Sequence, residues 1–160
     1  MRMHREPAVA GLFYRDDPHE LKEEVKAYIN TSNVQSNEAV KFIISPHAGY
    51  IYSGKIAGDA FAEVQTNKPD KVVILGPSHR VYLNGIAESG SENWNTPMGS
   101  VKIMESGIPG IDNNYEAHEH EHCLEVQIPF LQTLFPNADY LPFLVSGNHK
   151  SANLIAEKLL

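Results

Sequence analysis

Two histidines stand where a short apolar run gives way to turn residues. Val40-Lys41-Phe42-Ile43-Ile44-Ser45 leads into Pro46-His47-Ala48-Gly49-Tyr50, and Lys71-Val72-Val73-Ile74-Leu75 leads into Gly76-Pro77-Ser78-His79. Neutral imidazole is the usual protein ligand for first-row transition metals. A pair fixed to strand ends is also held rigidly, as a metal site requires. The competing reading is a pair of buried, hydrogen-bonded turn histidines. The equivalent placement of the two favours His47 and His79 as metal ligands in one cleft.

The other reactive side chains read less sharply. His118, His120 and His122 alternate with glutamates. A spacing of two shares a face only in a strand, whereas the residues from His122 onward have helical spacing. His118 and His120 therefore read as solvated surface residues. His122, beside the apolar face, is the one kept for the site, where it would orient a ligand or a bound substrate. Cys123, the single cysteine, reads as packing, although a helix start would lower its pKa. Ser78 lacks a Gly-x-Ser-x-Gly setting. Gly54-x-x-x-Gly58 reads as close helix packing rather than a phosphate loop.

The elements that must position these residues follow from periodicity. The apolar runs before His47 and His79 are short and β-branched, which suits strands buried on both faces of a parallel sheet. Ligands of such sheets bind at the carboxyl ends of the strands. Between the runs, a helix after Ser53-Gly54, through about Val64, makes a β–α–β unit. Upstream, Pro7 to Tyr14 forms an ordered arm. A helix then starts at Asp17 as N-cap, with Pro18 in the first turn and Glu20 closing a capping box. Its apolar face is Leu21, Val25, Tyr28 and Ile29. Downstream, 85–89 and 100–104 read as short strands joined by a long connection, and 107–114 as loop. Leu124, Ile128, Leu131 and Phe135 mark a helix that Pro129 kinks or restarts. Tyr140 to Val145 is a strand that Pro142 pushes toward an edge or a bulge. Ser151 to Leu160 reads as a helix. A final helix after a strand normally leads to another strand, so the expectation is a fold cut short at its C-terminus.

Composition narrows the function classes. The 160 residues, 42% hydrophobic and 21% charged, suit one globular domain. A net charge of −7 argues against a nucleic-acid partner and an anionic membrane surface. One cysteine precludes an intrachain disulfide and fits a reducing, cytoplasmic setting. No apolar run approaches the roughly 18 residues of a membrane span.

Five motifs in order carry a family resemblance: Pro7-Ala8-Val9-Ala10-Gly11-x-Phe13-Tyr14; Pro46-His47-Ala48-Gly49-Tyr50-x-Tyr52-Ser53-Gly54; Gly76-Pro77-Ser78-His79; Thr96-Pro97-Met98-Gly99; and Glu121-His122-x-Leu124-Glu125-Val126-Gln127-x-Pro129-Phe130. The chain resembles the Memo family (mediator of cell motility), whose microbial members are called AmmeMemoRadiSam system protein B. That resemblance implies a fold like class III extradiol dioxygenases: α/β, with a mostly parallel sheet and helices on both faces. Residues 1–160 would be the N-terminal part of a longer family domain. It further implies that His47 and His79 match the two metal-binding histidines, with iron(II) or copper as the metal, and that His122 matches a catalytic-site histidine nearby. Family members supply a further ligand from a late cysteine, which this chain does not contain. The implied activity is redox or dioxygenase-type chemistry on an unidentified substrate. The alternatives are a non-catalytic adaptor for phosphopeptides or anions, and an accessory partner of a radical SAM enzyme. An uncovered sheet would also favour self-association.

Overall fold

The computed structural model describes residues 4–34 and 40–146, together with 153, 156 and 157. Strand β1 (His4–Arg5) opens the chain and is followed by the arm. Helix α1 (Pro18–Asn30) begins at Asp17, whose carboxylate accepts from the backbone N–H of His19 and Glu20. Glu20 does not close a capping box. Its carboxylate pairs with Arg15 Nη1 at 3.0 Å instead. Leu21, Val25 and Ile29 form the buried stripe, as their spacing predicts.

Helix α2 (Tyr50–Ala62) starts directly after Gly49 and so includes Ser53 and Gly54, which the sequence pattern places ahead of the helix. Its buried face is Tyr50, Gly54, Ala57, Gly58, Phe61 and Ala62, while Ile56 is exposed. Gly54 and Gly58 are there for close approach. A Cβ at 54 would lie 2.5 Å from the Tyr28 ring, and one at 58 would lie 2.6 Å from the Tyr28 backbone. The expected role of the Gly-x-x-x-Gly pair is thus borne out.

Strand β2 (Lys71–Pro77) follows, then β3 (Gly85–Glu88), β4 (Asn93–Thr96), β5 (Gly99–Lys102) and β6 (Asp112–Asn113). A short helix α3 (Tyr115–Glu119), a 3-10 turn (Glu125–Gln127), helix α4 (Ile128–Leu134) and strand β7 (Asp139–Ser146) complete the described elements. Pro129 sits in the first turn of α4, so the pattern does restart there. One sheet has the order β2-β7-β3-β6 and the other β1-β4-β5. β2 pairs with β7, β3 with β6 and β1 with β4 in parallel. β3 with β7 and β4 with β5 are antiparallel. The architecture is α/β with mixed sheets. β4 lies in what read as a long connection and pairs with β5, which falls on the strand expected over 100–104.

Three expectations need correction. Residues 40–46 form no strand, although their composition favours one. Strand preference is largely packing against neighbours, and this segment has no ladder partner among the described residues. Phe42 is 78% and Ile44 98% exposed. β2, expected to be buried on both faces, is buried on one only: Ile74 is covered, whereas Val73 and Leu75 are exposed. Finally, β7 is central rather than at an edge. Its pairing with β3 begins only at Phe143, so Pro142 falls just before that ladder. The helix expected over 151–160 lies largely outside the described residues.

Candidate metal centre

His79 projects from the turn that ends β2, at the carboxyl end of that strand. His47 reaches the same place from segment 40–49, which is outside any strand and is held by hydrogen bonds on either side of the histidine. Gln127 donates from Nε2 to the Pro46 carbonyl at 3.0 Å, immediately before His47. The Tyr50 N–H bonds to the Phe13 carbonyl at 2.7 Å, immediately after the turn. His122 lies between α3 and the 3-10 turn, where the Val126 N–H returns to its carbonyl.

The three imidazoles converge. Ring centroids are 5.1 Å apart for His47 and His79, 5.8 Å for His47 and His122, and 4.7 Å for His79 and His122. One nitrogen from each can be chosen so that all three lie within 4.8 Å of one another. The sequence expectation that His47 and His79 share a cleft is met in position, although only His79 follows a strand. His79 is the open side of the group, with its side chain 38% exposed, and His122 is the more enclosed at 16%. Phe13 closes the cluster beside His122, at a ring separation of 5.0 Å.

Beneath the imidazoles sits Glu121, 1% exposed. Its Oε2 accepts from the His79 N–H at 2.6 Å. Its Oε1 accepts from His79 Nδ1 at 2.9 Å, from the His122 N–H at 2.9 Å and from the Cys123 N–H at 3.1 Å. His122 Nδ1 is 3.1 Å from the same oxygen but off the direction a hydrogen bond needs. Burial by itself would raise the Glu121 pKa. The backbone donors of His79 and Cys123, with the His79 ring, outweigh it and bring the carboxyl down to about 2. Burial lowers the pKa of His122 against the pull of Glu121, which favours the neutral ring, the form that binds a cation.

A second grouping, His79, Glu121 and Cys123, is equally compact. Its chemistry does not suit a metal. The Cys123 thiol donates to the Pro77 carbonyl at 3.2 Å, and burial with the nearby Glu121 charge pushes its pKa up rather than down. The oxygens of Glu121 already serve four protein donors. The three-histidine group fits a metal ion better, because imidazole nitrogens are good ligands for first-row metals and these rings lie on a partly open surface. A surface depression lined by Arg15, Glu20 and Glu24 contains none of these rings.

His118 corrects the reading of the Glu-His run. It is 0% exposed, with Nε2 3.0 Å from the Ala87 carbonyl and its ring edge-on to Trp94. Burial lowers its pKa to about 4. His120 is exposed, as expected. Sequence reasoning missed Glu121, Gln127 and Phe13. The signal for Glu121 was present in its adjacency to His122, but a glutamate inside a charged run resembles a solvated one.

Comparison with known proteins gives a consistent assignment. The profile of the family described as Memo-like protein matches residues 5–160. A MEMO1 family protein of Metallosphaera sedula is 37% identical over 163 residues, covering 89% of this chain and 57% of its own. A MEMO1 family protein of Saccharolobus solfataricus is 39% identical over 164 residues, with 89% and 57% coverage. Another, from Methanococcoides burtonii, is 41% identical over 138 residues, covering 82% and 50%. The chain spans about half the length of the curated relatives it matches.

Proposed function

The chain belongs to the Memo-like protein family, and from that premise we propose that it carries a histidine-based non-haem metal centre. His47 and His79 are ligands. His122 is near enough to act as the third, a position that the sequence reading left to a residue outside the chain. The observation that carries this reading is the convergence of one nitrogen from each of three imidazoles within 4.8 Å. The metal is iron(II), as the resemblance to extradiol dioxygenases implies, or copper, and when bound it would supply oxygen-dependent redox chemistry. The protein's own part is to hold His122 neutral between Phe13 and Glu121, and to leave His79 open toward a substrate. No helix among the described residues is long and apolar enough to cross a membrane.

Three neutral nitrogens hold a cation with open coordination positions but without an anionic ligand. Uptake should therefore be modest, and it should weaken as pH falls through the imidazole titration range. The test is metal stoichiometry by elemental analysis after dialysis against iron(II) or copper. Wild type and His120→Ala should retain metal, and His47→Ala and His79→Ala should lose it. Equal metal content in wild type and His47→Ala would overturn the assignment. The phosphopeptide- or anion-binding adaptor would then be the better reading.

A further inference from the structure

Among the buried groups, Glu121 is the one that touches two of the three clustered histidines through both side-chain and backbone contacts. Its position is built: 1% exposed, with three backbone N–H groups and one ring nitrogen converging on its two oxygens. An ionised carboxylate only accepts hydrogen bonds. His79 Nδ1, at 2.9 Å from Oε1, must therefore carry the proton. The nitrogen left with a lone pair is Nε2.

We propose that Glu121 is a positioning residue that fixes His79 as the Nδ1–H tautomer and ties its backbone to that of His122, so that His79 presents Nε2 to a cation. Its negative charge, placed behind the imidazoles, also offsets part of the charge of a divalent ion held by neutral ligands. Carboxylates that receive the second ring N–H of a ligating histidine orient the ring and raise its basicity. Glu121 does both jobs at once, because the same oxygen that receives the ring also receives the backbone N–H groups of His122 and Cys123. It is not itself a ligand, since its oxygens are already occupied by protein donors. The proposal rests on the metal reading for its effect on affinity, but the tautomer assignment stands apart from it.

The experiment has two arms on the full chain. In the first, long-range proton–nitrogen NMR of the metal-free protein at neutral pH reads the His79 tautomer. The Nδ1–H form is expected, and an Nε2–H form or an even mixture would overturn the proposal whatever the metal result. This arm needs no variant, so it decides the matter even where Glu121→Gln fails to fold. In the second, cobalt(II) is titrated into wild type, Glu121→Gln and Glu88→Gln and followed by its visible absorption. Glu88 is another buried carboxylate, bonded to Ser106 and to no imidazole, so its variant reports the effect of lost stability alone. Glu121→Gln is expected to weaken cobalt(II) binding about 10- to 100-fold, while Glu88→Gln stays within about twofold of wild type. Equal losses in the two folded variants would make Glu121 merely structural and overturn the proposal. Absence of cobalt(II) binding by wild type would count against the metal centre, leaving the tautomer assignment to the first arm.

Discussion

Arg5 donates from Nη2 to Glu125 Oε2 across 2.7 Å, with both side chains 1% exposed. The pair joins the first described strand to the 3-10 turn that follows His122. The Glu125 carboxylate also accepts from the Ala8 N–H at 2.9 Å, the Val9 N–H at 3.0 Å and the Tyr14 hydroxyl at 2.6 Å. One carboxylate thus ties down the whole N-terminal arm, and with it Phe13 beside the histidines. Arg5 additionally lies over the Trp94 ring at 4.4 Å and donates to the carbonyls of His118 and Glu121.

Breaking such a pair from one side leaves a buried charge uncompensated, which typically costs about 3–5 kcal/mol. Glu125→Ala should therefore destabilise the protein by an amount in that range. Tyr14→Phe removes one hydrogen bond to a charged group and should cost about 1.5–3 kcal/mol. Urea unfolding of both variants measures the ranking. A Glu125→Ala loss smaller than that of Tyr14→Phe would contradict the role given to the carboxylate.

The contact between α1 and α2 makes a graded prediction. A Cβ at Gly58 meets the Tyr28 backbone, which cannot step aside, whereas one at Gly54 meets the Tyr28 ring, which can turn. Alanine is favoured over glycine within a helix by about 1 kcal/mol, which works against the clash at both sites. Gly58→Ala should still be destabilising, by about 1–3 kcal/mol as in overpacked cores. Gly54→Ala should be milder. Thermal melts of the two variants test the order, and a more stable Gly58→Ala would show that the helices can separate without loss.

The start of α1 and the Pro129 restart were legible in the sequence because they are local: a cap, a proline, a stripe at helical spacing. The convergence of His47 and His79 was legible because both follow similar apolar runs. Hidden from the sequence was whatever depends on a distant partner. The run at 40–45 has strand composition but no ladder in the structure, and β4 has a polar composition yet buries Trp94 and Thr96 in a hairpin. His118 and Glu121 belong to a charged run but are buried, because Ala87, Arg5 and His79 come from elsewhere in the chain to meet them.

The outer face of β2 bears on behaviour in solution. Val73 and Leu75 are exposed on one face of that strand, Ile51, Tyr52 and Ile56 on α2, and Phe42 and Ile44 on the segment between α1 and α2. Among the described residues no strand pairs with the free edge of β2. An open apolar edge of this kind promotes association. The 160-residue chain should therefore self-associate with rising concentration, and Val73→Lys with Leu75→Lys should reduce the association without unfolding the protein. Sedimentation velocity over a range of loading concentrations reads the result. A wild type that remains monomeric throughout would be the contrary outcome.

His118 makes the protein's stability depend on pH. Burial lowers its folded-state pKa from 6.5 to about 4, so the unfolded chain takes up a proton on this side chain more readily than the folded one. The sign follows from linkage: stability rises with pH wherever the unfolded state binds more protons. The stabilising contribution of neutral His118 is complete above pH 6.5 and is lost progressively as pH falls toward 4. A shift of this size corresponds to about 3 kcal/mol between the two limits. Glu121, with its carboxyl at about 2, contributes in a lower window, where stability falls as pH drops from the ordinary carboxylate range toward that value. The two effects can be separated by denaturant unfolding at pH 7 and pH 4.5 for wild type and His118→Gln. The variant should be less stable than wild type at pH 7 and should lose less on acidification. Parallel losses in the two proteins would mean that His118 titrates in the folded state as it does in the unfolded chain, contrary to its burial against Trp94 and the Ala87 carbonyl.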